Sequence, residues 1–417
     1  MTESEERTQF EECFGALAAI GRNEVSGGWT RFAWTPEDAE ARLWFIRTAR
    51  AAGAKVEADR DGNLWALAGP VGEDDRLVAT GSHLDTVRNG GAFDGALGVV
   101  AGLLALRRIL RSGAELRRGL AVVAFVDEEG GRFGTPTLGS ELLCGERDPA
   151  DVLERTDQHG VTMREAMAAA GVNIDRLGRD EARLARLDAF VELHVEQGRG
   201  LADLGSPLAV GAGAWPHGRW RFEAVGEANH AGTTRLADRR DPMLVLADAV
   251  TEARRLASGL QAVATIGRVE VAPNVTNAIP QRVTFWVDVR APDEATLERL
   301  VAELGRAARL SAARNSVQVE IACESRTSGT SFDGPLQRRL GDAVEAVGAT
   351  ACRLPTAAGH DAAVLARHLP AGMLFVRNPT GTSHSPAEHA SVEDCLVGVR
   401  ALTTVLQDLT SAASGEP

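Results

Sequence analysis

Five places in this 417-residue sequence carry side chains that could hold a cation or move a proton. In Gly81-Ser-His83-Leu-Asp85-Thr-Val a histidine and an aspartate lie two apart. That spacing suits a metal ligand whose second ring nitrogen is held by a carboxylate, which fixes its tautomer and basicity. Next comes Gly90-Gly-Ala-Phe-Asp94-Gly-Ala-Leu-Gly, where Asp94 could cap the following helix and still lend its oxygens to two cations. The apolar run 121–126 ends in Asp127-Glu128-Glu129-Gly130. A solvated acidic turn would account for three successive acids, and so would cations or protons that relieve their repulsion. Glu192-Leu-His194-Val-Glu196-Gln197-Gly198 alternates apolar and polar residues, which sets His194 on the face of Glu192 and Glu196. The fifth place is Gly381-Thr-Ser-His384-Ser-Pro. Histidines mixed with carboxylates suit Zn²⁺, Mn²⁺, Co²⁺ or Ni²⁺, and the lack of cysteine in these segments argues against a closed structural zinc. A site that stays open is a catalytic one.

The elements around these segments explain how they could meet. Thr35-Pro-Glu-Asp opens a helix over about 35–52, with a cap, a proline in the first turn and acids beside it. Short apolar runs at 77–79, 120–126 and 189–193 then alternate with helical patterns such as 95–111, which predicts a mainly parallel sheet covered on both faces. In such a sheet, sites assemble at the carboxyl ends of strands, where four of the acid- or histidine-bearing segments fall. Gly95, Gly98 and Gly102 do not make a phosphate loop, because their spacing is wrong and no strand directly precedes them.

From about residue 215 the order becomes strand 218–225, helix 241–258, strand 262–271, strand 282–289, helix 294–313 and strand 317–322, the β-α-β-β-α-β order of a ferredoxin-like sandwich. A helix from 335, a strand at 373–376 and a helix from 391 return to the first pattern. The expected architecture is therefore α/β, a catalytic domain of residues 1–212 and 331–417 with an inserted α+β domain at 213–330. The acidic start reads as frayed, and the tail after Leu409 as low in complexity.

A net charge of −13 with no dense Lys/Arg cluster argues against nucleic acid and anionic membranes as partners. No apolar run nears the ~20 residues that span a bilayer, and Met1-Thr-Glu-Ser-Glu-Glu is unlike a signal peptide. A cytoplasmic enzyme is expected. Five scattered cysteines (Cys13, Cys144, Cys323, Cys352, Cys395) without CxxC spacing read as reduced packing residues.

Taken in order, the motifs above, with His230-Ala-Gly-Thr-Thr, Ala358-Gly-His-Asp-Ala and Ser383-His-Ser-Pro, resemble the hydantoinase/carbamoylase branch of the M20 metallopeptidase-like amidases, over nearly the whole chain. That branch contains N-carbamoyl-L-amino-acid hydrolases, allantoate amidohydrolases and β-ureidopropionases. The resemblance implies two divalent metal ions, zinc first and manganese, cobalt or nickel as alternatives, on His83, Asp94, Glu129, His194 and His384, with Asp94 bridging. It implies Glu128 as general base and Asp85 and His230 as further catalytic groups. Gln197, Asn277, Arg290, Gly359 and His360 match positions that hold substrate, and the inserted domain matches a lid and dimerisation domain. The implied reaction is hydrolysis of a carbamoyl C–N bond in a carboxylate-bearing ureido substrate, by a homodimer whose site is completed by lid closure or by the partner chain. An aminoacylase or dipeptidase of the same superfamily, or a catalytically silent metal-binding relative, is the alternative. Arg88, Arg235-Leu236 and Val376-Arg-Asn-Pro depart from the usual family residues without touching an implied ligand.

Overall fold

The computed structural model describes residues 2–411. The chain forms two compact units, Met1–Gly213 with Ser331–Pro417, and Ala214–Thr330.

In the larger unit, strands Gly119–Phe125, Leu77–His83, Leu187–Val195 and Ala371–Val376 lie side by side and parallel. Antiparallel strands Leu64–Ala68 and Leu208–Ala214 flank them. These parallel strands are buried along their length except at Asp188, as a sheet covered on both faces requires. The two-residue period divides the side chains between the layers. Leu120, Val122 and Ala124 join the core beneath helices Ala96–Ser112 and Val392–Ser411. Ala121, Val123 and Phe125 join a second core on the other face, with Trp65 and Phe190. Because the four strands run the same way, their carboxyl ends gather at one edge, and the chemistry-bearing segments follow directly.

The acidic start is not frayed. Glu3–Ala18 is a helix, with Thr2 and Glu5 forming a reciprocal capping box. Phe10 and Leu17, seven residues apart and so on one face, are both 1% exposed. Burying each contributes ~1.5–3 kcal/mol, and the neighbouring glutamates remain on the outer side. The tail expected after Leu409 lies, beyond Ser411, outside the described residues.

The smaller unit is a four-stranded antiparallel sheet in the order Gln318–Thr327, His217–Val225, Arg282–Arg290, Val263–Ala272. Helices Met243–Leu260 and Glu294–Arg314 cover one face through Phe222, Phe285, Val287, Leu256 and Leu300. This is the ferredoxin-like arrangement, and among the described residues its outer strands keep one unpaired edge each. No helix among the described residues is long and apolar enough to cross a membrane.

Candidate metal centre

His83 is the last residue of its strand, and its side chain is 2% exposed. Its Nδ1 is 3.0 Å from the backbone carbonyl oxygen of Asp85, so Nδ1–H donates there and Nε2 is left for the interior. The Asp85 carboxylate stays beside the ring as well, with Oδ1 3.6 Å from Nδ1. Its oxygens accept the backbone N–H groups of Glu128 and Glu129 at 3.1 and 3.0 Å. Asp85 thus shapes the turn that delivers the two glutamates. Asn63 accepts the N–H of Val126 just before that turn, and Asp127 takes φ 52° within it.

His194, near the end of its strand, uses the same device: Nδ1 is 2.8 Å from the Val195 carbonyl oxygen, so Nε2 faces inward. Asp94 lies between the Leu77–His83 strand and the Ala96–Ser112 helix. It is not that helix's cap; Gly95 occupies the position, at φ 62°. A Cβ there would come within 2.4 Å of the His83 ring, so only glycine lets the backbone pass this close.

The two oxygens of Asp94 serve different neighbours. Oδ1 is 3.5 Å from His83 Nε2 and 3.1 Å from His194 Nε2. Oδ2 is 3.4 Å from His384 Nε2, which is itself 3.4 Å from Glu129 Oε2. Two of the groups these donors form share Asp94, namely His83–Asp94–His194 and Asp94–Glu129–His384, and a third joins His194 to Glu192 and His360. Ligands bonded to zinc at ~2.0–2.1 Å in a tetrahedron stand about 3.3 Å apart, close to these separations. Electrostatics favour the same occupants. Burial raises the pKa of Glu129 to about 7, with Asp94 adding to it, and burial raises that of Glu128 well above the carboxylate range, with Asp361 and Glu129 adding. Burial also opposes charge on Asp94, but the three surrounding histidines outweigh it and hold its pKa well down. Glu129 Oε1 has no hydrogen-bond partner among the described residues. Crowded buried carboxylates facing neutral-capable imidazoles are a donor set for cations, and the residues fit two of them.

Glu128 is 7% exposed, and its Oε2 is 3.7 Å from His83 Nε2, beside the ligands rather than among them. Gln197 donates to Asp94 Oδ2 at 3.0 Å. The His360 ring packs edge-on against His194 at 4.5 Å, with Nε2 3.2 Å from Thr356 Oγ1, and Gly359 precedes it. Of the other acids, Asp127 stays out of both groups. Glu192 accepts from Ser82 Oγ and the N–H of Ala362, and Glu196 caps the short helix at Gly200–Leu204.

The remaining predicted residues lie in the smaller unit. His230 and Asn277 sit together, the Asn277 carbonyl accepting the N–H of Ala231 and His230 pairing across to Ala278. His230 Nδ1 accepts the N–H groups of Gly232 and Thr233 at 3.0 and 3.1 Å, so the neutral ring carries its hydrogen on Nε2 and is a donor. Arg290, which donates to Asp288 at 3.0 Å, is at the other end of its strand from Arg282 and the 226–230 segment. Eight residues of strand separate Arg290 from Arg282, about 26 Å. Sequence reasoning missed Glu388, which accepts the N–H groups of Phe93 and Asp94. Its one sequence signal is an acid four residues beyond His384.

A parallel sheet whose strand ends bring together buried histidines and carboxylates, with an acid held beside them, defines a metal-dependent type of hydrolase. Residues 79–408 match Peptidase family M20/M25/M40, and the chain belongs to that family. Within it, the chain is similar to N-carbamoyl-L-amino acid amidohydrolase of Geobacillus stearothermophilus, 35% identical over 93% of this chain and 94% of that one. It is also similar to allantoate amidohydrolase of Bacillus subtilis, 32% identical over 94% and 95%. A hydantoinase/carbamoylase family amidase from Burkholderia ambifaria has the same fold, with a TM-score of 0.86 at 33% identity over 98% of both chains.

Proposed function

We propose that this protein hydrolyses the carbamoyl C–N bond of a carboxylate-bearing ureido compound, an N-carbamoyl-L-amino acid or allantoate, using two divalent cations. The division of the Asp94 oxygens between two ligand pairs, with Glu128 alongside, carries this reading. His83, Asp94 and His194 would hold one ion and Asp94, Glu129 and His384 the other, with zinc the first choice for nitrogen and oxygen donors. When bound, the cations polarise the substrate carbonyl and make the attacking water more acidic. Glu128 takes the proton of that water and returns it to the leaving nitrogen, so one water is added as the C–N bond breaks. Asp85 keeps Glu128 in place by holding its backbone N–H. His230, with its hydrogen on Nε2, supplies a donor to the developing oxyanion. Gln197, Asn277, Gly359 and His360 surround the substrate, and the planar fork of Arg290 takes its carboxylate.

Arg290 ends a strand of the four-stranded sheet, opposite the end at Arg282, whereas His230 and Asn277 belong to the separate 229–230/278–279 ribbon that follows from the Arg282 end. A site that draws on both would be completed by a second copy of the chain, which is why we place a homodimer in the proposal. The exposed sheet edges of the smaller unit offer the surface for it. Light scattering is expected to give twice the chain mass; a monomer at assay concentration sinks this part of the proposal. Five unpaired cysteines fit a cytoplasmic setting.

A substrate panel on zinc-, manganese-, cobalt- or nickel-loaded protein tests the activity, with release of ammonia and free amine as the readouts. Turnover of N-acetyl amino acids but not of N-carbamoyl compounds or allantoate would replace this reading with an aminoacylase. In the same panel, Arg290→Lys keeps the charge but loses the two-pronged hydrogen bond, so KM rises about tenfold or more for carboxylate substrates while kcat changes little. An unchanged KM removes Arg290 from the site.

A further inference from the structure

Glu388 is only 4% exposed and belongs to no ligand group, yet its carboxylate joins the two segments that carry Asp94 and His384. Oε1 accepts the backbone N–H groups of Phe93 and Asp94 at 3.0 and 2.9 Å. Oε2 accepts the Ser383 hydroxyl at 2.9 Å, and that same hydroxyl lies 3.3 Å from Asp94 Oδ2. The 384–388 turn closes on itself, with the Glu388 N–H donating to the Ser385 carbonyl. The seat for this carboxylate is made by Gly91, where a Cβ would come within 2.2 Å of Oε1. His384 needs such support, because it sits at φ 55° in a loop and its side chain is 49% exposed, whereas His83 and His194 are fixed in buried strands.

We infer that Glu388 is a positioning residue that clamps the Asp94 and Ser383–His384 segments together, and so sets the affinity of the ion held by Asp94, Glu129 and His384 rather than that of its neighbour. The selectivity follows from the geometry. Ser383 reaches Oδ2, the oxygen turned to His384, while Oδ1 faces the two strand histidines. A carboxylate accepts all three hydrogen bonds; the amide of Gln keeps the two from Phe93 and Asp94 only by turning its N–H group to Ser383, which reverses the Ser383 bond and removes the negative charge beside Asp94.

The inference rests on the two-ion reading, and calorimetric titration of metal-free protein with Zn²⁺ tests both. Wild-type protein should take up two ions. In Glu388→Gln, one affinity is expected to fall about 10–100-fold, as for other groups that orient metal ligands, and the other to hold. In a His384→Ala background, where that ion is already weakened, adding Glu388→Gln should leave the remaining affinity unchanged. Ser383→Ala removes only a hydroxyl and carries the same test, with a smaller shift in the same ion, should circular dichroism show Glu388→Gln unfolded. Equal weakening of both ions, or the same loss with and without His384, overturns the clamp alone. Wild-type protein that binds a single ion overturns the two-ion reading and the clamp with it.

Discussion

Replacing Glu128 with glutamine is expected to lower kcat by about 10⁴-fold while both ions stay bound, the upper end of what a positioned proton-transfer group contributes. The change keeps shape and removes basicity. Glu128 lies outside both ligand groups, so metal content measured by atomic emission should not fall. Glu129→Gln separates the roles at the adjacent position: it removes a ligand from the group shared with His384, so one ion should weaken and activity should return at high metal concentration. The two phenotypes in reverse would exchange the assignments. The turn makes this contrast possible, since Asp85 holds both backbone N–H groups while the side chains diverge.

The second large effect is expected at Asp94. Oδ1 faces His83 and His194 while Oδ2 faces His384, so Asp94→Ala should release both ions on dialysis, where His384→Ala should release only one. Losing the Lewis acid removes several kcal/mol of transition-state stabilisation, at least about 10³-fold in turnover. Retention of one tightly held ion in Asp94→Ala would show that the carboxylate serves a single cation. The variant also leaves His83 and His194 buried without their shared acceptor, so thermal melting should be compared in the metal-free state of each protein.

Much of this was legible in the sequence, for local reasons. Apolar runs such as 120–126 read as buried strands because a two-faced sheet needs both sets of alternate side chains apolar, and their period requires nothing beyond neighbours in the chain. The insertion showed itself in the same way, as a change in the order of strands and helices. The first helix escaped the reading because its polar and acidic residues outnumber the apolar ones, and only Phe10 and Leu17 are fully buried, with Cys13 and Phe14 packing partly buried beside them.

The residue types at the strand ends determined that the site would be a cluster of histidines and carboxylates, because strand direction and length place those ends from local pattern alone. Which atom faces which was decided by tertiary structure. The Asp85 carboxylate, beside its neighbouring histidine, also took the backbone N–H groups of residues 43 and 44 positions away, and Glu388 met Asp94 across 294 residues. Such pairings depend on side-chain rotamers and on hydrogen-bonding groups that only packing brings within 3 Å, and a buried carboxylate takes whichever donors the fold leaves unsatisfied. The division of the two Asp94 oxygens between separate partners arose in the same way, from a backbone that only glycine at position 95 allows to pass beside His83.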